Sequence, residues 1–264
     1  MIPTIIISIE AWVLSFFLFV AMILFAWLGN TAGKRWRRSD DGKESEEKSG
    51  FGSLEAGLFG LFGFVLAITF AMSGNRYETH RNVLVQESND IGTAILRADL
   101  YPDSIRQAFR IDFKEYVEAR IAYYEAQADI SKIMEARAQS DQLSSKIWDR
   151  ATDMSKQPGM LVPSNQMIPA LNAMIDITTT REAGLKATIP DIIIISLFIL
   201  ALIVTFVAGF SSPGIRKKDW MIIAGFDLLT SLIIYITLDI GRPRRGLINS
   251  DVGQEAIVEL RRMF

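Results

Sequence analysis

Few side chains in this sequence have chemistry to offer, and they fall in two places. Asp227 lies seven residues into an apolar run that opens at Trp220. If that run is a membrane helix, the carboxylate sits about 10 Å deep at 1.5 Å per residue. An acid at such depth could bind or relay a cation or proton, or bond a hydroxyl on a neighbouring helix such as Thr205; both readings stay open. The second place is the polar run from Arg76 to Pro102, with Arg76, Arg81, Glu87, Asn89, Thr93, Arg97 and Asp99 around Gly92. The chain has no cysteine and one histidine, His80. That removes thiol nucleophiles, thiolate metal sites and two-histidine zinc motifs, and leaves His80 as a solvated or interfacial helix residue. With no phosphate loop and no metal-ligand cluster, neither an enzyme nor a cofactor is expected. A net charge of −2 with no basic excess argues against a nucleic-acid partner.

The elements that must position these groups are membrane helices. Half of the residues are hydrophobic and 22% are charged, and the two kinds are segregated along the chain. Apolar runs at 1–29, 53–72, 188–210 and 220–240 each approach the roughly 20 residues that cross a bilayer. Trp12 and Trp27 mark the two ends of the first, and Glu10 lies near its interface. A basic, polar loop is expected over 30–52 and a short basic loop over 211–219. Lys34, Arg35, Arg37 and Arg38 in one and Arg216, Lys217 and Lys218 in the other place these loops in the cytoplasm and both termini outside. The opposite flank is not free of basic residues: Arg76, Arg81, Arg181, Lys186, Arg242, Arg244 and Arg245 lie there.

The second run carries two stripes. Ala56, Gly60, Gly63, Ala67 and Ala71 follow at steps of four, three, four and four, which puts them on one helix face. Small residues there let a second backbone come close. Beside them stand Phe59, Phe62, Leu66 and Phe70. These bulky residues are either ordinary packing or an apolar constriction that controls ion flow by dewetting. No proline interrupts the chain from Leu54 until Pro102, so the apolar run and the polar run form one helix.

Residues 73–187 read as an antiparallel helical bundle outside the membrane, inserted between the second and third spans. Tyr77, Leu84, Ile91, Ile95 and Ala98 form an apolar seam on its first helix, with Gln86, Asn89, Asp90, Thr93 and Arg97 opposite. That polar stripe is a solvated face or the lining of a water-filled vestibule. Gly92 is a close-approach point or a weak spot in the helix. Further helices are expected over about 103–127, where Ile105, Phe109, Phe113, Tyr116, the Arg120 stem and Tyr123 share a face, and over 129–156, more peripheral. Another is expected from Pro163, and Pro190 either enters a new helix or kinks one continuous rod. In the tail, 241–264, Asp239 and Arg242 are spaced to pair, and Ile257, Leu260 and Phe264 mark a short amphipathic helix.

Two strings, RYETHRNVLVQESNDIGTAILRADLYP from Arg76 and LDIGRPRRGLI from Leu238, carry a resemblance over nearly the whole chain. With four spans and a basic first loop, the sequence is similar to the bacterial bestrophin-like membrane proteins. The matching positions are Arg76, Tyr77, Arg81, Glu87, Asn89, Gly92, Thr93, Arg97 and Asp99, then Asp239, Arg242, Pro243 and Gly246; Ser88 stands where alanine is expected. The resemblance implies a multi-pass protein of the bacterial inner membrane and, by analogy with bestrophin anion channels, a pentamer whose second span lines a pore. It makes Phe59, Phe62, Leu66 and Phe70 the candidate constriction. The acidic calcium clasp of animal bestrophins is missing from this tail, so no calcium gating is expected. Bestrophin channels keep their termini and bundle in the cytosol, opposite to the orientation the basic loops favour. An all-α, homo-oligomeric ion channel, with lipid and small inorganic ions as its partners, is the expected function. A non-conducting scaffold or sensor whose bundle binds a protein is the alternative.

Overall fold

The computed structural model describes residues 9–39, 47–186, 189–212, 217–242 and 251–264. Among them the chain is helical, with no strand. The helices are α1 (Ala11–Ser39), α2 (Glu47–Arg97), α3 (Asp103–Glu125), α4 (Ile130–Ser155), α5 (Leu161–Lys186), α6 (Asp191–Ser211), α7 (Lys217–Ile240) and α8 (Asp251–Glu259). Short 3-10 turns at Ala98–Leu100 and Leu260–Met263 extend α2 and α8. Four helices are long and apolar enough to cross a membrane: α1, α2, α6 and α7.

Helix α1 begins after Glu10, whose carbonyl accepts from Val13 and Leu14 N–H. It does not stop at Gly29 but continues through the basic residues to Ser39. The segment Thr31–Arg38 contains no proline, and half of it is lysine or arginine, which favour helix. Likewise α2 starts at Glu47, ahead of the apolar run, and stays helical across its change from apolar to polar. Helix α6 starts afresh at Asp191 with Pro190 at its N-cap, which suits a residue that cannot donate to a preceding turn.

The chain divides into two compact units. The first comprises Met1–Asn75 with Ile189–Arg242, the second Arg76–Thr188 with Pro243–Phe264. In the first unit α1 packs along α6 and α7. Its core holds Leu18, Met22, Phe62, Leu197, Ala201, Val204 and Ile234.

In the second unit α3 packs on α4 and α4 on α5, around Ile91, Ile95, Phe109, Phe113, Tyr116, Ile147, Met167 and Leu171. Pro102 and Asp103 open α3 after the break at Tyr101. The Asp129 carboxylate caps α4, accepting from Ser131 N–H at 3.0 Å and Lys132 N–H at 3.2 Å. Gly159, at φ 81°, makes the left-handed turn before α5 that a side chain would strain. Ile257 and Leu260 of the tail enter this core, whereas Phe264 stays exposed.

Candidate functional site

The apolar half of α2 has one face engaged and one bare. Phe59 and Phe62 meet Phe226 of α7 edge-on, with ring centroids 5.4 and 6.4 Å apart. Such pairs add about 0.5–1.5 kcal/mol each beyond area burial. Phe62 is 3% exposed, and Leu66 packs against the same core. Phe70 is 42% exposed. Of the four bulky residues singled out in the sequence, Phe70 therefore stands apart from the three that pack within the chain. Ala56, Gly60, Gly63, Ala67 and Ala71 are all exposed. A Cβ placed on Gly57, Gly60 or Gly63 would meet nothing within 4 Å.

Glycines where α1 meets α6 behave differently. A Cβ on Gly29 would strike the Phe206 carbonyl, and one on Gly209 the Ala26 carbonyl. On Gly33 it would lie 2.5 Å from the Phe210 oxygen. Helices α1 and α6 touch backbone to backbone at these three positions. Asn30 crosses the same contact, its Nδ2 donating to the Ser212 carbonyl at 2.7 Å.

Asp227 is fully buried, and neither carboxylate oxygen has a hydrogen-bond partner among the described residues. The expected bond from Thr205 does not form, because its hydroxyl donates to Ala201 of its own helix at 2.7 Å. A hydroxyl on an apolar helix finds its i−4 carbonyl without any tertiary partner. Ser231, one turn from Asp227, points to the Met22 sulfur at 3.9 Å. Asp239 is buried, its carbonyl accepts from Arg242 N–H at 3.0 Å, and the Arg242 guanidinium reaches the Ile9 carbonyl. Pro243 and Gly246 lie outside the described residues.

The motif-bearing half of α2 is organised by Glu87. Its side chain is fully buried and accepts from Arg120 Nε at 2.6 Å, Arg181 at 2.9 and 3.3 Å, and Tyr124 Oη at 3.1 Å. The Arg181 guanidinium also lies over the rings of Tyr123 and Tyr124, 4.5 and 3.9 Å from their centroids. Burial pushes the Glu87 carboxyl up, but Arg120 and Arg181 together outweigh it, so its pKa lies below the ordinary carboxylate value. Burial and the same carboxylate push the Tyr124 phenol up, which keeps it a neutral donor.

The neighbouring motif positions hold the tail. Ser88 donates to the Ala256 carbonyl at 2.7 Å, and a Cβ on Gly92 would lie 3.4 Å from Leu260 and 3.7 Å from Met263. Gly253 of α8 sits so close to Leu84 that a Cβ there would fall 2.6 Å from it. Gly92 is thus a close-approach point. Asp99 pairs with Arg110 at 3.0 Å, and Arg110 also holds the Met263 carbonyl at 3.1 Å. Arg81, Asn89 and Thr93 are exposed, Arg97 is half-buried, and Arg76 lines a small cavity with Thr79, His80 and Arg181.

Sequence reasoning missed the partners of Glu87. The signal was present: Arg120 falls on the buried face of α3, in step with Phe113, Tyr116 and Tyr123, where a guanidinium needs a buried anion. It missed Asp112 as well, buried and held by Lys146 at 2.8 Å and Arg150 at 2.7 Å.

Among curated proteins none matches this chain, and no solved structure matches it. Its four apolar helices and its sequence agree on a multi-pass membrane protein. The family model described as the bestrophin-like domain matches residues 16–249, most of the chain, which therefore belongs to the bestrophin-like family.

Proposed function

We propose that the protein is an oligomeric ion channel of bestrophin type, in which several copies assemble with the apolar half of α2 innermost. The observation that carries this reading is the bare face of α2: five small residues in register, covered by nothing among the described residues, on a helix whose opposite face is packed. A membrane helix gains little from leaving glycines against lipid. Set against the backbone of another copy, they gain dispersion contacts. In a closed ring every copy has the same surroundings, so the α2 face of each one meets a neighbour and none is left against lipid.

Phe70 lies at the margin of the bare face, and we assign the apolar constriction to it. Phe59, Phe62 and Leu66 brace α2 from behind. The second unit, inserted between the second and third spans, lies outside the membrane on this reading. The basic residues flanking α1 and α7 favour a cytoplasmic position for the opposite side, with both termini extracytoplasmic.

Single-channel recording of the purified oligomer in planar bilayers tests the proposal. Current that rises on Phe70→Ala supports it, since a wider and less apolar constriction dewets less readily. No current from a folded oligomer, in the wild type and in Phe70→Ala alike, contradicts it.

A further inference from the structure

Around Glu87 the second unit buries two guanidiniums against one carboxylate among the described residues. Among the described residues Glu87 is the one carboxylate bonded to Arg120 and Arg181, and a single carboxylate cannot balance two guanidiniums. Arg181 is 2% exposed, and its Nε–H is enclosed without an acceptor among the described residues. The acid next to it in sequence, Glu182, is engaged with Arg137 at 2.9 Å. A buried cation and an unmet charged donor each carry a desolvation cost that a nearby anion would relieve.

Arg181 borders a cavity of about 140 Å³, and Arg76, on α2, lines the same cavity with Thr79 and His80. Arg76 has no ion pair among the described residues. Two guanidiniums therefore border one cavity with no carboxylate among its described lining residues. That space holds several waters or one ion of a few heavy atoms. Arginine favours oxyanions because its planar fork of N–H groups matches two oxygens at once, which a spherical halide cannot offer.

We propose that this cavity binds one phosphate-like oxyanion per chain, held between Arg76 and Arg181. The same chemistry is presented by free inorganic phosphate or sulfate and by the headgroup of an anionic phospholipid. The site does not depend on ion conduction.

The test uses the full chain, purified in neutral detergent without phosphate, and isothermal titration with inorganic phosphate, sulfate and chloride. A parallel arm places the protein in phosphatidylcholine nanodiscs with and without phosphatidylglycerol and counts retained lipid by native mass spectrometry. Saturable binding of one oxyanion per chain, or retention of one phosphatidylglycerol per chain, is expected; whichever arm responds identifies the source. Arg76→Gln should weaken it at least about tenfold, the loss of one charge-assisted hydrogen bond. Arg181→Lys, which keeps the charge beside Glu87 but removes the fork, should weaken it too. Arg106→Gln, an exposed residue paired with Asp103, serves as the unaffected control. Absence of saturable binding in both arms would overturn the proposal. So would binding unchanged in both Arg76→Gln and Arg181→Lys, or chloride binding as tightly as phosphate. Because binding is read on protein that need not conduct, silent bilayers leave the result intact, and lost binding leaves the channel reading intact.

Discussion

Glycines of α1 and α6 and glycines of α2 have the same composition and similar spacing, yet one set is filled and the other is open. Gly29, Gly33 and Gly209 each receive a backbone from within the chain, whereas Gly57, Gly60 and Gly63 receive nothing. The two buried carboxylates divide in the same way. Glu87 has partners from three side chains in its own unit, and Asp227 has none among the described residues. The first member of each pair completes the fold of one chain. The second is a feature that a single chain does not explain, which directs attention to other copies or to ions.

The sharpest way to break this contrast is to fill both sets. Gly209→Val drives its Cβ onto the Ala26 carbonyl, and backbone cannot yield as a side chain tip does. A loss at or above the ~3 kcal/mol top of ordinary overpacking is expected, seen as loss of monodisperse protein in detergent. Gly60→Val should leave the fold of the chain within about 1 kcal/mol, because valine is no worse than glycine inside a helix. Its effect should appear instead in oligomeric mass, read by light scattering. Equal damage from the two substitutions would erase the distinction.

Next in size is Glu87→Gln, which leaves two buried guanidiniums facing a neutral amide. About 3–5 kcal/mol is expected, from chemical denaturation followed by circular dichroism. The pH dependence has a definite sign. The Glu87 pKa is lowered in the folded protein, so its contribution is complete above the ordinary value of 4.5 and is lost as pH falls through the folded value. Glu87→Gln should remove that acid-sensitive component. If the variant and the wild type lose stability in parallel below that range, other carboxylates are responsible.

Phe62→Ala empties a place in the core beside Phe226 and should cost about 3 kcal/mol, while Phe70→Ala should cost under about 1 kcal/mol. Thermal melts of the two proteins compare these directly. The smallest effect belongs to Asp227→Asn. No donor among the described residues serves this carboxylate, so the change should stay within about 1 kcal/mol in the same melts. A large loss would reveal a partner for Asp227 supplied by something other than the described residues.

Four spans, the continuity of α2 and the buried face of α3 were all legible in the sequence, because apolar length, absence of proline and 3.6-residue periodicity are local properties. The candidate site was only half legible. Spacing put Phe59, Phe62, Leu66 and Phe70 on one stripe, but which side of a stripe is covered depends on where Phe226 arrives, and that is a long-range fact. Glu87 stood out as a motif residue, while its partners lie 33 and 94 positions away. Gly92 stood open between a close-approach point and a weak spot, and Ser88 looked like a minor departure; the choice is made only once α8 is seated on α2.

The most direct measurement is the density of the full-length assembly in lipid nanodiscs, viewed down the membrane normal. A closed ring is expected, with α2 innermost and Ala56, Gly60, Gly63 and Ala67 against neighbouring copies, and Phe70 at the narrowest point. A monomer, or an assembly whose glycine face of α2 meets lipid while other helices form the contacts, would contradict it.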